Sequence, residues 1–498
     1  MGPLNQVKTL AGQTLVYGLG SILPRVLNFL ILTSFYTWLF GPSPYGILSE
    51  LYAWLALALV LIEFGMESGF FRFAKDQDAI RKVFSHATGF IAILALIWMV
   101  LIYVYIGQVS DLIHYKNNQN YIIWMAWIVA IDSIALVPFA KIRQDGKARR
   151  FAFLKIANVF INIALVLIFL LVFPWIDRHI GRLPGWLYDR KLGVGYVFFA
   201  NLMTSALMLF LLIPEFRFFR WKFDRKFMGK LLAYSAPLVL VGLAGSINDS
   251  GDKIFVKLIT GDLGQVGIYS SNYRIAVLMT LFIQMFRYAF EPFLFKVSKD
   301  KNAEETYALV MKYFVITGLC LFLFTSLNID IFKVVLLRQK DFWQGLAVVP
   351  IVLLGNFFLG VYYNLSVWYK LKDLTRYAAI MASAGAFVTV VLNWLLVPKI
   401  GYIGAAWATL ACYASMMVIS YFWGRKMYPV PYQTGILLAW TALALVLYGI
   451  SALLKPESLI IRMVWDGLLM LVFIVVVGLK EKKMVRSIYL QIRNRGSK

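Results

Sequence analysis

The chain is written almost throughout in long apolar runs broken by short polar stretches. Fourteen of these runs approach the ~20 residues that cross a bilayer as a helix. They fall at about 13–33, 46–66, 84–106, 121–140, 152–173, 194–213, 232–250, 265–288, 309–329, 344–366, 376–397, 402–423, 434–454 and 460–480. A transmembrane barrel would instead show alternating segments of ~10 residues. The pattern therefore predicts an all-α polytopic membrane protein with fourteen transmembrane helices. Trp and Tyr gather near the run ends (Trp38, Tyr45, Trp124, Trp175, Trp343, Tyr369, Trp423), as interface belts do.

The polar stretches set the orientation. About two thirds of the 49 basic residues lie in alternate loops: Arg72 to Lys82, Lys141 to Lys155, Arg217 to Lys230, Lys296 to Lys312, Lys370 to Arg376, Arg425-Lys426 and the tail from Lys480. Basic residues are retained on the cytoplasmic side, so the bias predicts both termini inside. No loop is long enough to be a domain. The linker from Arg217 to Lys230 is strongly basic, which suits a topology determinant in contact with anionic lipid, or a docking site for a partner.

Composition agrees with this reading. A chain of 498 residues that is 61% hydrophobic and 15% charged, with a mean hydropathy of +0.74, does not fit a soluble domain. The net charge of +24 would suggest nucleic acid in a soluble protein. Here the basic residues sit in short loops between spans, so no nucleic-acid partner is expected. Cys320 and Cys412 both lie inside apolar runs and suggest neither a disulfide framework nor a metal site. The first run lacks the short core and cleavage site of a signal peptide and is expected to remain as a span.

A weak internal repeat is visible. Leu39 to Ile47 (LFGPSPYGI) resembles Leu258 to Ile268 (LITGDLGQVGI). Each stretch lies between the first and second spans of a six-span unit, and both copies have the same orientation. Two bundles related by an axis along the membrane normal would follow, with a substrate path between them. The expected organisation is an N-terminal six-helix bundle (1–215), a basic linker (216–230), a C-terminal six-helix bundle (231–427), and two further helices with a basic tail (428–498).

Charge inside a hydrocarbon layer is costly, so intramembrane ionisable residues are candidates for function. Arg25, Arg274 and Arg287 form a cationic set. A guanidinium stays ionised and offers bidentate hydrogen bonds that suit a diphosphate. Each could instead pair with an acid or snorkel to the interface. Glu63, Asp132 and Asp249, with Glu291 and Asp466 as further intramembrane acids, could bind a coupling ion or carry a proton, and could equally neutralise the arginines. Asn248, Asp249, Thr389 and Asn393 supply oxygen ligands of the kind a sodium site uses, although asparagines in spans also bond neighbouring helices. Gly401-Tyr402-Ile403-Gly404-Ala405-Ala406 reads as close helix packing.

Signals for an enzyme are poor. No phosphate-binding loop is present, and the histidines lack metal-ligand spacing. Neither a cofactor nor a metal is expected.

Ser235-Ala236-Pro237-Leu238, the stretch from Asp249 to Lys253, Val266-Gly267-Ile268-Tyr269 and Glu291-Pro292 together resemble the Wzx-type lipid-linked oligosaccharide flippases. These are polysaccharide-biosynthesis proteins of the multidrug/oligosaccharidyl-lipid/polysaccharide (MOP, MATE-like) exporter superfamily. The resemblance covers nearly the whole chain. It implies two pseudo-symmetric six-helix bundles plus two C-terminal helices in the bacterial inner membrane. It also implies alternating access for a polyprenyl-diphosphate-linked oligosaccharide, such as an O-antigen, capsule or exopolysaccharide repeat unit. The energy would come from a coupling ion (H+ or Na+) or the membrane potential. Expected partners are that lipid, anionic bilayer lipids, and a polysaccharide polymerase or ligase. In the resembling families, cations of the first and eighth spans line the cavity, where Arg25 and Arg274 match, and some relatives hold sodium in spans seven and eleven.

Two other readings stay open. A multidrug or organic-cation antiporter of the same superfamily predicts an acidic cavity and usually twelve spans. A membrane glycosyltransferase or polymerase predicts a large extracytoplasmic loop with catalytic acids, and Asp76-Gln77-Asp78 is the nearest approach to its metal motif.

Overall fold

The computed structural model describes residues 31–481 except 186, 221, 222, 299, 301, 373, 375 and 455. Regular structure among the described residues is helical throughout. Thirteen of the described helical segments are long and apolar enough to span a bilayer. They are α1 (Pro42–Phe73), α2 (Gln77–Val104), α3 (Lys116–Gln144), α4 (Ala148–His179), α5 (Gly195–Phe218), α6 (Arg225–Thr260), α7 (Leu263–Val297), α8 (Ala303–Leu327), α9 (Val348–Leu371), α10 (Arg376–Ile400), α11 (Tyr402–Met427), α12 (Thr434–Leu453) and α13 (Ile460–Lys480). They coincide with the second to fourteenth expected spans. The first expected span lies almost wholly outside the described residues.

Sequence chemistry sets the helix ends. Asp76 caps α2, its carboxylate accepting from the Ala79 amide at 2.8 Å, and Asp224 caps α6 from the Phe227 amide at 3.0 Å. Pro42 opens α1 at a position where its missing N–H is not needed. Gly261, at φ +70°, ends α6 in the left-handed conformation, and α7 starts two residues later. Inside α1 the helix breaks where Phe64 and Gly65 both take positive φ (51° and 65°). Within α6 a π turn covers Ile247–Gly251.

The chain divides into two compact units: Met1–Ser271 with Ala382–Ala408, and Asn272–Met381 with Thr409–Lys498. The first has its core where α2, α3 and α5 meet, around Val83, Phe84, Ile91, Ile128, Val129 and Phe198. The second includes a cluster of Phe290, Leu294, Tyr307 and Val367. Many large apolar side chains point outward, Leu438, Leu453 and Ile460 among them. That is ordinary for helices whose solvent is hydrocarbon.

The two copies of the repeat meet inside the first unit. A Cβ added to Gly46 would lie 1.9 Å from the carbonyl oxygen of Leu263, and one on Gly267 would lie 1.8 Å from that of Pro42. Pro42 is four residues before Gly46, and Leu263 four before Gly267. The contact is therefore reciprocal, like a small two-fold interface built within one chain. The absence of side chains at both glycines lets the starts of α1 and α7 touch backbone to backbone.

Candidate functional site

Arg25 lies outside the described residues. The other two candidate arginines sit in the second unit on α7, 13 residues apart, or about 20 Å along the axis. Arg274 is exposed midway along the helix and has no charged or hydrogen-bonding partner among the described residues. Arg287 lies 4.1 Å over the ring of Tyr363 and 3.7 Å from Glu291. Lys370, near the end of α9, donates to the same carboxylate at 2.9 Å. The Tyr369 hydroxyl donates to that of Tyr362 at 3.3 Å close by.

This group holds two cations and one carboxylate, so it keeps a net positive charge. The Arg287 and Glu291 side chains are 41% and 43% accessible. The cluster is thus built but open. It can offer a guanidinium fork and an ammonium to an anion, and phenol rings to a sugar face. Arg287 and Glu291 are four residues apart on one helix, whereas Lys370 comes from 79 residues beyond Glu291 and gave no sequence signal.

The first unit assembles three of the four proposed oxygen donors. The π turn of α6 carries Asn248, and α10 carries Thr389 and Asn393. The Thr389 hydroxyl donates to Asn248 Oδ1 at 3.3 Å, and Asn248 Nδ2 donates to the Ala382 carbonyl at 3.1 Å. Asn393 Nδ2 donates to the Thr389 carbonyl at 2.8 Å. Its Oδ1 is buried with no hydrogen-bond partner. A buried acceptor without a donor needs an explanation, and a cation is one. Asp249 lies next to this group but is exposed. No cluster of three or more His, Cys, Asp or Glu residues among the described residues could hold a metal.

Glu63 and Asp132 also lie in the first unit. Asp132 accepts a hydrogen bond from Ser205 and feels the charge of Lys155. Lys155 in turn faces Asp132, Glu67, Glu63 and Arg143. Glu67 pairs with Arg143 at 2.6 Å. Two cations therefore accompany three carboxylates.

Among the buried charges that sequence reasoning missed are Glu50 and Lys141. Glu50, 1% exposed in α1, accepts from Tyr115 at 2.7 Å and from Trp54 at 3.4 Å. Lys141, wholly buried, donates to Asp145 at 2.7 Å and to Glu215 at 2.9 Å. An acid within an apolar run was the signal for Glu50. Lys141 gave none, because its position reads as an ordinary loop cation.

A family model described as polysaccharide biosynthesis protein matches residues 10–298. No curated protein matches the chain. Among solved structures, the lipid II flippase MurJ in an inward closed conformation is similar over 94% of this chain and 99% of that one, at 15% identity and a TM-score of 0.69. An inward-facing multidrug resistance MATE family transporter of the MOP superfamily covers 83% of this chain and 94% of its own, at 15% identity and a TM-score of 0.64. A MATE protein in complex with MaD3S gives 84% and 95%, 14% identity and a TM-score of 0.58. At these identities the likeness is one of fold.

Proposed function

The chain belongs to the polysaccharide biosynthesis protein family, and from that premise we propose that it is a flippase for a polyprenyl-diphosphate-linked oligosaccharide. The observation that carries this reading is the open cationic cluster of Arg287, Lys370 and Glu291 beside Tyr363. Lys370 stands one residue before the end of α9, the end that the positive-inside rule assigns to the cytoplasm. A diphosphate loading from the cytoplasmic leaflet of the bacterial inner membrane would meet these cations at headgroup depth. Arg274 then offers a second station about 20 Å along the same helix, and Arg25 a third cation from the N-terminal span. The isoprenoid tail stays in the bilayer throughout. Inside-negative potential favours export of an anion by ~2.3 kcal/mol per charge per 100 mV. We assign the coupling ion to the Asn248–Thr389–Asn393 group and read it as sodium, since that group offers oxygens without a titratable side chain.

The carboxylates Glu63, Glu67 and Asp132 favour a second reading, an organic-cation antiporter. The two are separated by purified protein in liposomes carrying a labelled undecaprenyl-diphosphate oligosaccharide, with leaflet exposure followed over time. The flippase moves the lipid-linked sugar, and Arg287→Ala and Arg25→Ala slow it by tenfold or more. Export of small organic cations with no movement of the lipid would replace this reading by the antiporter.

A further inference from the structure

A cavity of about 310 Å³ opens between the start of α2 and the linker that joins α5 to α6. Its walls include Asp78, Arg81, Ser85, His86, Arg220 and Phe223. Protein bonds fix the linker to α2 on one side of it. The Arg220 amide donates to Ser85 Oγ at 2.8 Å, and the Asp224 amide donates to His86 Nε2 at 2.8 Å. His86 Nδ1 must then carry the ring proton, which it donates to the Lys82 carbonyl at 2.7 Å. Both imidazole nitrogens are thus occupied by protein hydrogen bonds.

The remaining charges do not balance locally. Lys82 is taken by Asp224 at 2.6 Å, and Lys82 together with the Phe227 amide holds that carboxyl down to about 2. Arg81 lies 5.7 Å from the Phe218 ring and makes no ion pair among the described residues. The Arg220 guanidinium likewise has no carboxylate partner among them. The one other acid in the wall, Asp78, pairs with neither. Two guanidinium forks therefore line one space without an ion-pair partner among the described residues. One comes from a transmembrane helix and the other from the linker.

We propose that this cavity binds the phosphodiester headgroup of an anionic glycerophospholipid, bridged between Arg81 and Arg220. Planar guanidinium groups recognise phosphate oxygens bidentately. Basic pockets beside transmembrane helices are suited to lipid headgroups. A lipid is favoured over free phosphate by depth. The cavity lies at the start of the membrane-spanning α2, and Phe223 at its rim is 73% exposed while stacked on His86. An exposed phenylalanine there suits contact with the acyl region. The bound phosphate would add a tie between α2 and the linker to those already made by Ser85 and His86.

The test is native mass spectrometry of the purified full-length chain, titrated with phosphatidylglycerol, phosphatidylcholine or inorganic phosphate. We expect retention of phosphatidylglycerol over phosphatidylcholine. Each basic side chain near a charged lipid contributes on the order of fivefold in affinity. The double variant Arg81→Gln/Arg220→Gln should therefore bind phosphatidylglycerol roughly 30-fold more weakly. Asp78→Asn removes the unpaired carboxylate from the wall and should tighten binding several-fold, a gain that misfolding cannot mimic. Equal retention of phosphatidylcholine, wild-type affinity in the double variant, or no gain from Asp78→Asn would overturn the assignment. Full displacement of the lipid by inorganic phosphate at matched concentration would make this a free-phosphate site. The readout is lipid retention, so it stands or falls independently of the transported substrate.

Discussion

Arg287 shares one carboxylate with Lys370, and that shared acid makes its role testable. If the guanidinium were there only to neutralise Glu291, lysine would serve as well, because Lys370 already donates to the carboxylate at 2.9 Å. A fork that grips a diphosphate is not replaceable by a point charge. Arg287→Lys is therefore expected to slow lipid-linked sugar translocation by about tenfold, the scale of one charge-assisted hydrogen bond, while Arg287→Lys protein keeps its thermal stability. Wild-type transport in Arg287→Lys would return Arg287 to a structural role. Lys141 is the opposite case. It is buried between Asp145 and Glu215, with side-chain exposures of 1%, 15% and 3%. Lys141→Met leaves those carboxylates without their central cation and is expected to cost ~3–5 kcal/mol of stability. Arg150 still reaches Glu215 at 2.7 Å, which places the loss at the lower end. Adding Glu215→Gln should restore part of the melting temperature, and a double variant no more stable than Lys141→Met would refute the ion-pair account.

At the scale of elements, the reciprocal glycine contact makes a symmetric prediction. Overpacking costs ~1–3 kcal/mol when side chains can move aside. Here the obstacle is a backbone carbonyl within 2 Å of the new Cβ on either side. Gly46→Ala and Gly267→Ala should each lower folded yield strongly and by similar amounts. Gly449→Ala in α12, which meets nothing within 4 Å, should leave yield unchanged. A harmless Gly46→Ala beside a damaging Gly267→Ala would break the reciprocity. This contact was half legible in the sequence. The LFGPSPYGI and LITGDLGQVGI stretches announced a repeat, because each opens on Leu and closes on Gly-Ile around small residues that stand out among Leu and Phe. That the copies touch each other was not legible. The spans were readable one by one, since twenty apolar residues specify a membrane helix without help from the rest of the chain. Partnership across spans was not. Glu50 finds Tyr115 65 positions away and Lys141 finds Glu215 74 away, separations at which local periodicity carries no information. The break at Phe64-Gly65 was hidden for the same reason, since Gly65 packs against Ser235 and Leu238 of α6.

For the molecule as a whole, the first unit holds two candidate ion stations of different chemistry, and they predict different dependences. The Asn248–Thr389–Asn393 group contains amides and a hydroxyl, none of which titrates near neutral pH. It leaves one buried acceptor, Asn393 Oδ1, without a donor. A cation at that oxygen would satisfy it, whereas the three side chains themselves offer a proton no base. The Glu63, Glu67 and Asp132 group is already attended by Lys155 and Arg143, which fits charge balance within the unit. Transport in liposomes should accordingly be stimulated by an inward sodium gradient, and not by potassium. Asn393→Ala and Thr389→Val should abolish that stimulation while leaving basal, potential-driven movement of the lipid. Asp132→Asn should keep sodium stimulation at near wild-type strength, because its loss touches Ser205, Lys155 and Glu63 and not the amide group. The reverse pattern would transfer coupling to the carboxylates: no sodium response, a rate that follows a proton gradient, and silence in Asp132→Asn. The orphan oxygen of Asn393 would then require a buried water.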